Sequence, residues 1–317
     1  MMFLGTRNIL IFLFLAVLVF LALIFIGDYR EIIAHLSNVK ITTLFLLIIF
    51  SLGNYVVRFV KWQFFLNLLK IHVKLSDSFL IFITGLSMAL TPAKIGDTIK
   101  SYLLHKMQSI NVRITLPIIF SERLTDLFGL TFLSLIGLSS LFMNLNFLIV
   151  ILILLVVGML LVRNERIFYF FIKLISKVKF AKKYFGDVSL FHTSLKKLLS
   201  VKPMAVSIVL SSISWALEGI ALYFLINSLG FAVPLLSIIF IYSFSSIAGA
   251  LAFIPGGLGV TEGSLLSLLV FIGLPLSVAS LSTIIIRLTT LWFGVTIGLI
   301  GLFAISGKIK TRNLSSH

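Results

Sequence analysis

Eleven ionisable side chains stand where such side chains are costly. Asp97, Glu122, Asp126, Glu218 and Glu262 are five of only ten acids in the chain, and each lies in or against a long apolar segment. The cations Arg58, Lys61, Lys94, Lys100, Arg123 and Arg287 lie there too. One charge at a bilayer centre costs about 2.5–3.5 kcal/mol, so these groups are expected to face one another or a wet cavity. The densest cluster is SERLTD, residues 121–126. Glu122 and Asp126 are four apart and share a helical face, where they repel unless a cation intervenes or one is protonated. Arg123, three residues from Asp126, can bridge it. Such a cluster is either a structural salt-bridge knot or a site that grips a headgroup with both signs of charge.

Two breaks in apolar sequence carry further chemistry. TPAKIGD (91–97) holds Pro92, which ends a helix, and Gly96, which permits an abrupt turn. Lys94, Asp97 and Lys100 follow along the returning helix, whose N-terminus favours anions. IPGGLGV (254–260) holds Pro255, Gly256, Gly257 and Gly259, so its backbone can approach a ligand closely, and Glu262 is the charge presented there.

The elements that must position these residues are membrane helices. Of 317 residues, 60% are hydrophobic and 11% charged, and the mean hydropathy is +1.19. A soluble core cannot absorb that much apolar surface. Cysteine is absent and the five histidines show no ligand spacing, so thiolate chemistry and a metal site are not expected, nor is any cofactor. The net charge of +16 fits basic cytoplasmic loops better than nucleic-acid binding, since no basic soluble domain exists to carry it. Residues 8–26 follow Arg7 like a signal peptide, but no small-residue cleavage site follows, and an uncleaved first span is expected.

The apolar segments 76–91 and 95–104 flank the first break, and 234–254 and 258–274 flank the second. Each pair is two crossings or one re-entrant hairpin. Residues 163–203 carry ten Lys/Arg against Glu165 and Asp187, which assigns them to the cytoplasm. Two re-entrant hairpins place more of the remaining basic residues inside as well. The expected chain is therefore an all-α polytopic protein of the cell membrane, a single membrane domain with six crossings, two hairpins and both termini cytoplasmic. Within the basic segment, 167–185 mixes aromatics with lysines and reads as an interfacial helix on an anionic leaflet.

An internal repeat organises this chain. RLTDLFGLTFLSLIGL (123–138) and RLTTLWFGVTIGLIGL (287–302) match at half of their positions without a gap. Pro92 pairs with Pro255 and Gly96 with Gly259, and RFVKWQFFLN (58–67) pairs with EGIALYFLIN (218–227). The offsets are 164, 163 and 160 residues. Each unit is span, hairpin, span: repeat 1 covers 41–141 and repeat 2 covers 204–305. A first span (8–27), a linking span (146–162), the basic cytoplasmic segment (163–203) and a cytoplasmic tail (306–317) complete the chain. Three crossings separate equivalent points, so the repeats are expected to be inverted, an architecture shared with alternating-access transporters.

RFVKW (58–62), PAKIGDTIKSYLL (92–104), ERLTDLFGL (122–130), SWALEGIALY (214–223) and PGGLGVTEGSLL (255–266) together resemble the transmembrane region of lysylphosphatidylglycerol synthases and the wider group of flippase-like membrane proteins. The resemblance covers about residues 40–305. The first break of the family usually resembles PGRLGE; here Ala93 replaces the first glycine and Asp97 the glutamate. The resemblance implies movement of a phospholipid or lipid-linked headgroup between leaflets. In the bifunctional synthases a soluble aminoacyl-transferase domain follows the membrane region. This sequence runs twelve residues past its last span, so no synthase activity, and no enzyme activity, is expected.

On this reading Arg58, Arg123 and Arg287 contact phosphate, while Glu122, Asp126, Glu218 and Glu262 contact an amine or balance the arginines. The expected partners are membrane lipids: an anionic or aminoacylated phospholipid, or a lipid-linked sugar. Two other readings of the same charges are a secondary transporter of a small solute and a non-transporting accessory subunit of a cell-envelope lipid or glycosyl transferase.

Overall fold

The computed structural model describes residues 6–91, 96–138, 146–167, 170 and 188–314, and among them there is no strand. Pro92 and Lys94 lie outside the described residues, as does most of the segment 167–185 expected on the leaflet. Helix α1 (Thr6–Ile26) is apolar almost throughout. The short α2 (Tyr29–Leu36) begins at Asp28, whose carboxylate accepts the Arg30 N–H at 3.0 Å and so satisfies one free donor of the first turn. Helix α3 (Ile41–Leu68) is followed by α4 (Leu75–Leu86), whose last turn tightens to a 3₁₀ helix at Ser87–Leu90. Then come α5 (Ile99–Gln108), α6 (Val112–Leu138), α7 (Asn146–Arg163) and α8 (Val188–Leu198).

The second half runs α9 (Val201–Ser228), α10 (Leu235–Leu251), a 3₁₀ turn at Pro255–Gly257, and α11 (Val260–Phe271). Helix α12 (Leu276–Arg287) continues through a π-helical turn, Leu288–Trp292, into α13 (Phe293–Leu314). Among the described residues, Ile41–Leu68, Val201–Ser228 and Leu276–Ile309 are long and apolar enough to cross a membrane by length and composition. The helices around the two breaks are shorter. At 1.5 Å per residue, the 12 residues of α4 or of α11 rise about 18 Å, and the 10 of α5 about 15 Å.

Small residues set the packing. Helices α3 and α9 pack on each other, and Ser51 and Asn54 of α3 and Ser207, Ser211 and Ser214 of α9 are all fully buried. Short side chains let two backbones approach, and Asn54 Nδ2 donates to the Ser214 carbonyl across the seam at 2.7 Å. Glycines do the same elsewhere. A Cβ on Gly137 of α6 would lie 2.5 Å from the Leu236 carbonyl of α10. A Cβ on Gly298 of α13 would lie 2.1 Å from the Ser87 amide, and one on Gly301 would lie 2.7 Å from Ile83 Cγ2. So α10 seats on α6, and α4 seats on α13.

Two apolar cores result, one around Leu222, Ile226, Ile241 and Ile286, the other around Trp62, Phe65, Leu104 and Ile118. Large apolar side chains also face outward: Phe25 is 75% exposed, Ile300 65% and Phe303 78%. Exposed apolar surface on this scale needs lipid as its solvent.

Gly298→Leu is expected to force the α4–α13 contact apart and cost more than the ~1–3 kcal/mol usual for overpacking, since the nearest atom is backbone. Gly158→Ala, which meets nothing within 4 Å, is expected to be neutral. Thermal unfolding of the two detergent-solubilised variants separates them.

Candidate functional site

Helix α6 presents Glu122, Arg123 and Asp126 on successive turns, and two elements of the first half come to meet them. Lys61 of α3 donates to Asp126 Oδ1 at 2.6 Å and to Ser211 Oγ at 2.7 Å, while Ser211 donates to Asp126 Oδ1 at 3.0 Å. Lys61 is 1% exposed, so α3, α6 and α9 are tied by a fully enclosed three-centre cluster. Lys100 of α5 pairs with Glu122 at 2.5 Å, and its ammonium lies 4.6 Å from the Trp62 ring centre. Its alkyl stem passes over Gly85, where a Cβ would come within 2.9 Å. Arg123 reaches back to Asp97, at the foot of α5, and along its own helix to Asp126 at 3.4 Å.

The second half repeats one part of this plan. Arg287, at the end of α12, donates through Nε to Glu262 at 2.6 Å and through Nη2 to the Gly256 carbonyl at 2.6 Å. Glu262 also accepts the Gly259 N–H at 2.7 Å. Each arginine at the repeated RLT position thus holds a carboxylate on the break of its own half. On α9, Glu218 accepts a hydrogen bond from the Tyr242 hydroxyl of α10. Tyr55 of α3 donates to the Thr290 carbonyl, inside the π-helical turn, at 2.7 Å. Widening of a helix to i→i+5 displaces carbonyls from the regular ladder, and one of them is satisfied here by a side chain.

These groups surround one cavity of about 260 Å³. Arg58, Asp97, Lys100, Arg123 and Asp126 line it from the first half, and Glu218, Gly256, Gly257 and Arg287 from the second. Packing of α3 on α9 brings the groups of both halves onto a single space. Tyr55 and Trp215, Arg58 and Glu218, and Arg123 and Arg287, each pair at matching places of the sequence repeat, all line it.

Some expected residues stand back from it. Lys61 and Glu122 are behind their partners. Glu262 is 1% exposed and points into its own helix terminus and toward Arg287, rather than to a ligand. A carboxylate in the first turn finds the free backbone N–H groups there, and that local bond wins. Gly257 takes φ +67° and packs on Gly249 and Thr261, so its lack of a side chain serves the close passage of α10 and α11 as well as the cavity wall. Gly96 is required by space: a Cβ would meet Thr91 Cγ2 at 2.6 Å, and its own N–H donates to Thr91 Oγ1 at 2.8 Å. Tyr55, Trp215, Tyr242 and Thr290 were not singled out from sequence. Tyr55 and Trp215 each lie three residues before a charged lining residue, the helical spacing that shares a face, and that signal was there to read.

Helices with outward apolar faces, closed on an ion-paired cavity, define an integral membrane protein. The chain belongs to the family described as the lysylphosphatidylglycerol synthase TM region, which it matches over residues 11–298. It is similar to the UPF0104 membrane protein MJ1078 of Methanocaldococcus jannaschii, 26% identical over 238 residues that cover 70% of this chain and 94% of that protein. It is 24% identical over 325 residues to the UPF0104 membrane protein MJ1595 of the same organism, covering 96% of each. A UPF0104 membrane protein of Pyrococcus horikoshii, PH1989, is 27% identical over 124 residues, 39% of this chain and 37% of that one.

Asp126→Ala strands the buried Lys61 ammonium and is expected to cost about 3–5 kcal/mol. Lys61→Met with Asp126→Leu removes both charges and is expected to recover most of that loss. A double-mutant cycle on unfolding of the purified protein reads the coupling directly.

Proposed function

We propose that the chain moves the polar headgroup of a membrane lipid between leaflets, with no covalent chemistry of its own. The observation that carries this is the cavity, lined by both signs of charge inside an otherwise apolar helix assembly. Its volume is about 260 Å³. That holds a headgroup and leaves acyl chains outside. The wall includes Phe253 and Ile254, which are 66% and 40% exposed, so the cavity reaches the surface past an apolar lip. Phe253 is held at φ +55°, a strained setting for a bulky residue and one often found at gates and clamps.

The architecture that fits is two inverted repeats, each a span, a re-entrant hairpin and a span, with the remaining spans and both termini arranged as the loop charges direct. Three observations support it. Three of the helices flanking the breaks, α4, α5 and α11, are too short to cross about 30 Å of hydrocarbon singly. The hairpin helix of each half seats on a glycine of the other half's last span, and Gly137 and Gly301 are equivalent positions 164 residues apart. Asn54 and Ser214, 160 residues apart at the offset that relates α3 to α9, touch each other, as equivalent residues do beside a two-fold axis. The two arginine–carboxylate bonds, Arg123–Asp97 and Arg287–Glu262, then act as equivalent latches on the two hairpins, and opening one at a time gives access from one leaflet at a time.

The reading is tested in liposomes carrying tail-labelled phospholipids, with dithionite quenching of the outer leaflet. Wild-type protein is expected to make the inner pool accessible, and Arg287→Ala and Glu262→Gln to slow this at least tenfold while the protein stays folded. Unchanged lipid movement in both variants removes the latch from the mechanism. Uptake of a soluble solute with no lipid movement favours the small-solute transporter instead.

A further inference from the structure

Among the described residues, four cations line the cavity: Arg58, Lys100, Arg123 and Arg287. The last three are each bound to a carboxylate, on Glu122, Asp97 and Glu262 respectively. Arg58 has no ion pair and no hydrogen bond among the described residues, and it is part-buried on the wall. Its counterpart at the 160-residue offset is Glu218, which is 5% exposed, lines the same cavity, and is oriented by the Tyr242 hydroxyl. Both positions lie one helical turn beyond the Asn54–Ser214 contact. A cation and a carboxylate therefore approach one space from opposite sides of the α3–α9 seam.

Charge balance adds a second constraint. The described ionisable groups at this centre are five cations, Arg58, Lys61, Lys100, Arg123 and Arg287, and five carboxylates, Asp97, Glu122, Asp126, Glu218 and Glu262. Among the described residues these charges balance; Lys94 lies outside them. A phosphate–ammonium headgroup meets both Arg58 and Glu218 with opposite charge, whereas an anionic one meets only Arg58 and sets a like charge beside Glu218. Building on the headgroup reading above, we propose that Arg58 and Glu218 form a two-signed cradle selective for a zwitterionic phosphate–ammonium headgroup, with phosphate on Arg58 and the ammonium on Glu218.

Full-length protein in detergent supplies the test, by thermal shift with phosphatidylethanolamine, phosphatidylglycerol and soluble O-phosphoethanolamine. Wild-type protein is expected to bind phosphatidylethanolamine at least tenfold more tightly than phosphatidylglycerol. Glu218→Gln is expected to abolish that preference while keeping phosphatidylglycerol binding, an outcome that loss of folding cannot produce. Arg58→Gln is expected to weaken both lipids. Equal or tighter binding of phosphatidylglycerol by wild-type, or a preference that survives Glu218→Gln, overturns the cradle and leaves lipid movement standing if liposomes still show it. Tight binding of O-phosphoethanolamine with no binding of either lipid keeps the cradle chemistry and overturns the lipid reading.

Discussion

Every charge buried here has to be answered by another, and the fold is organised around that requirement. Lys61 is the strictest case, a full ammonium at 1% exposure between three helices. Its bond to Asp126 and its contact with Ser211 fix the mutual height of α3, α6 and α9. A pair like this adds little net stability, because desolvation offsets attraction. What it supplies is register: α3 cannot slide along α6 without leaving two bare charges in an apolar surrounding. The Lys100–Glu122 pair does the same for α5.

Glycine and serine make that ion pairing reachable. The pairs form at distances near 2.6 Å only because the backbones come close first, and the backbones come close where side chains are missing. Gly85 makes room for the Lys100 stem, Gly129 takes α9 at Ser211, and Gly298 takes the end of α4. The two halves are interleaved by these contacts instead of lying side by side. Helix α4 of the first half rests on α13 of the second, and α10 of the second rests on α6 of the first.

Two irregular features lie at the cavity as well. The π-helical turn at Leu288–Trp292 follows directly on Arg287, and its Thr290 carbonyl is held by Tyr55. Phe253 sits at positive φ on the lip.

Much of this was legible in the residues themselves. The hydropathy made it a helical membrane protein, and the repeated RLT with its following glycine marked matching segments in the two halves. The list of charged residues also came from sequence, because a charge among leucines is conspicuous whatever the fold. Their partners did not. Arg123 is three residues from Asp126 in sequence, yet it also binds Asp97, 26 residues away, and Lys61 finds Asp126 65 residues on. Glu262, at the tip of a glycine break, looks like a ligand group, yet it turns inward because free N–H groups and Arg287 are nearer than any ligand. Hydropathy and local spacing are properties of single segments, so the sequence determined which helices form and which charges they carry. Which charges pair with one another and which line the cavity depends on how α3 and α9 meet, and only the tertiary structure decided that.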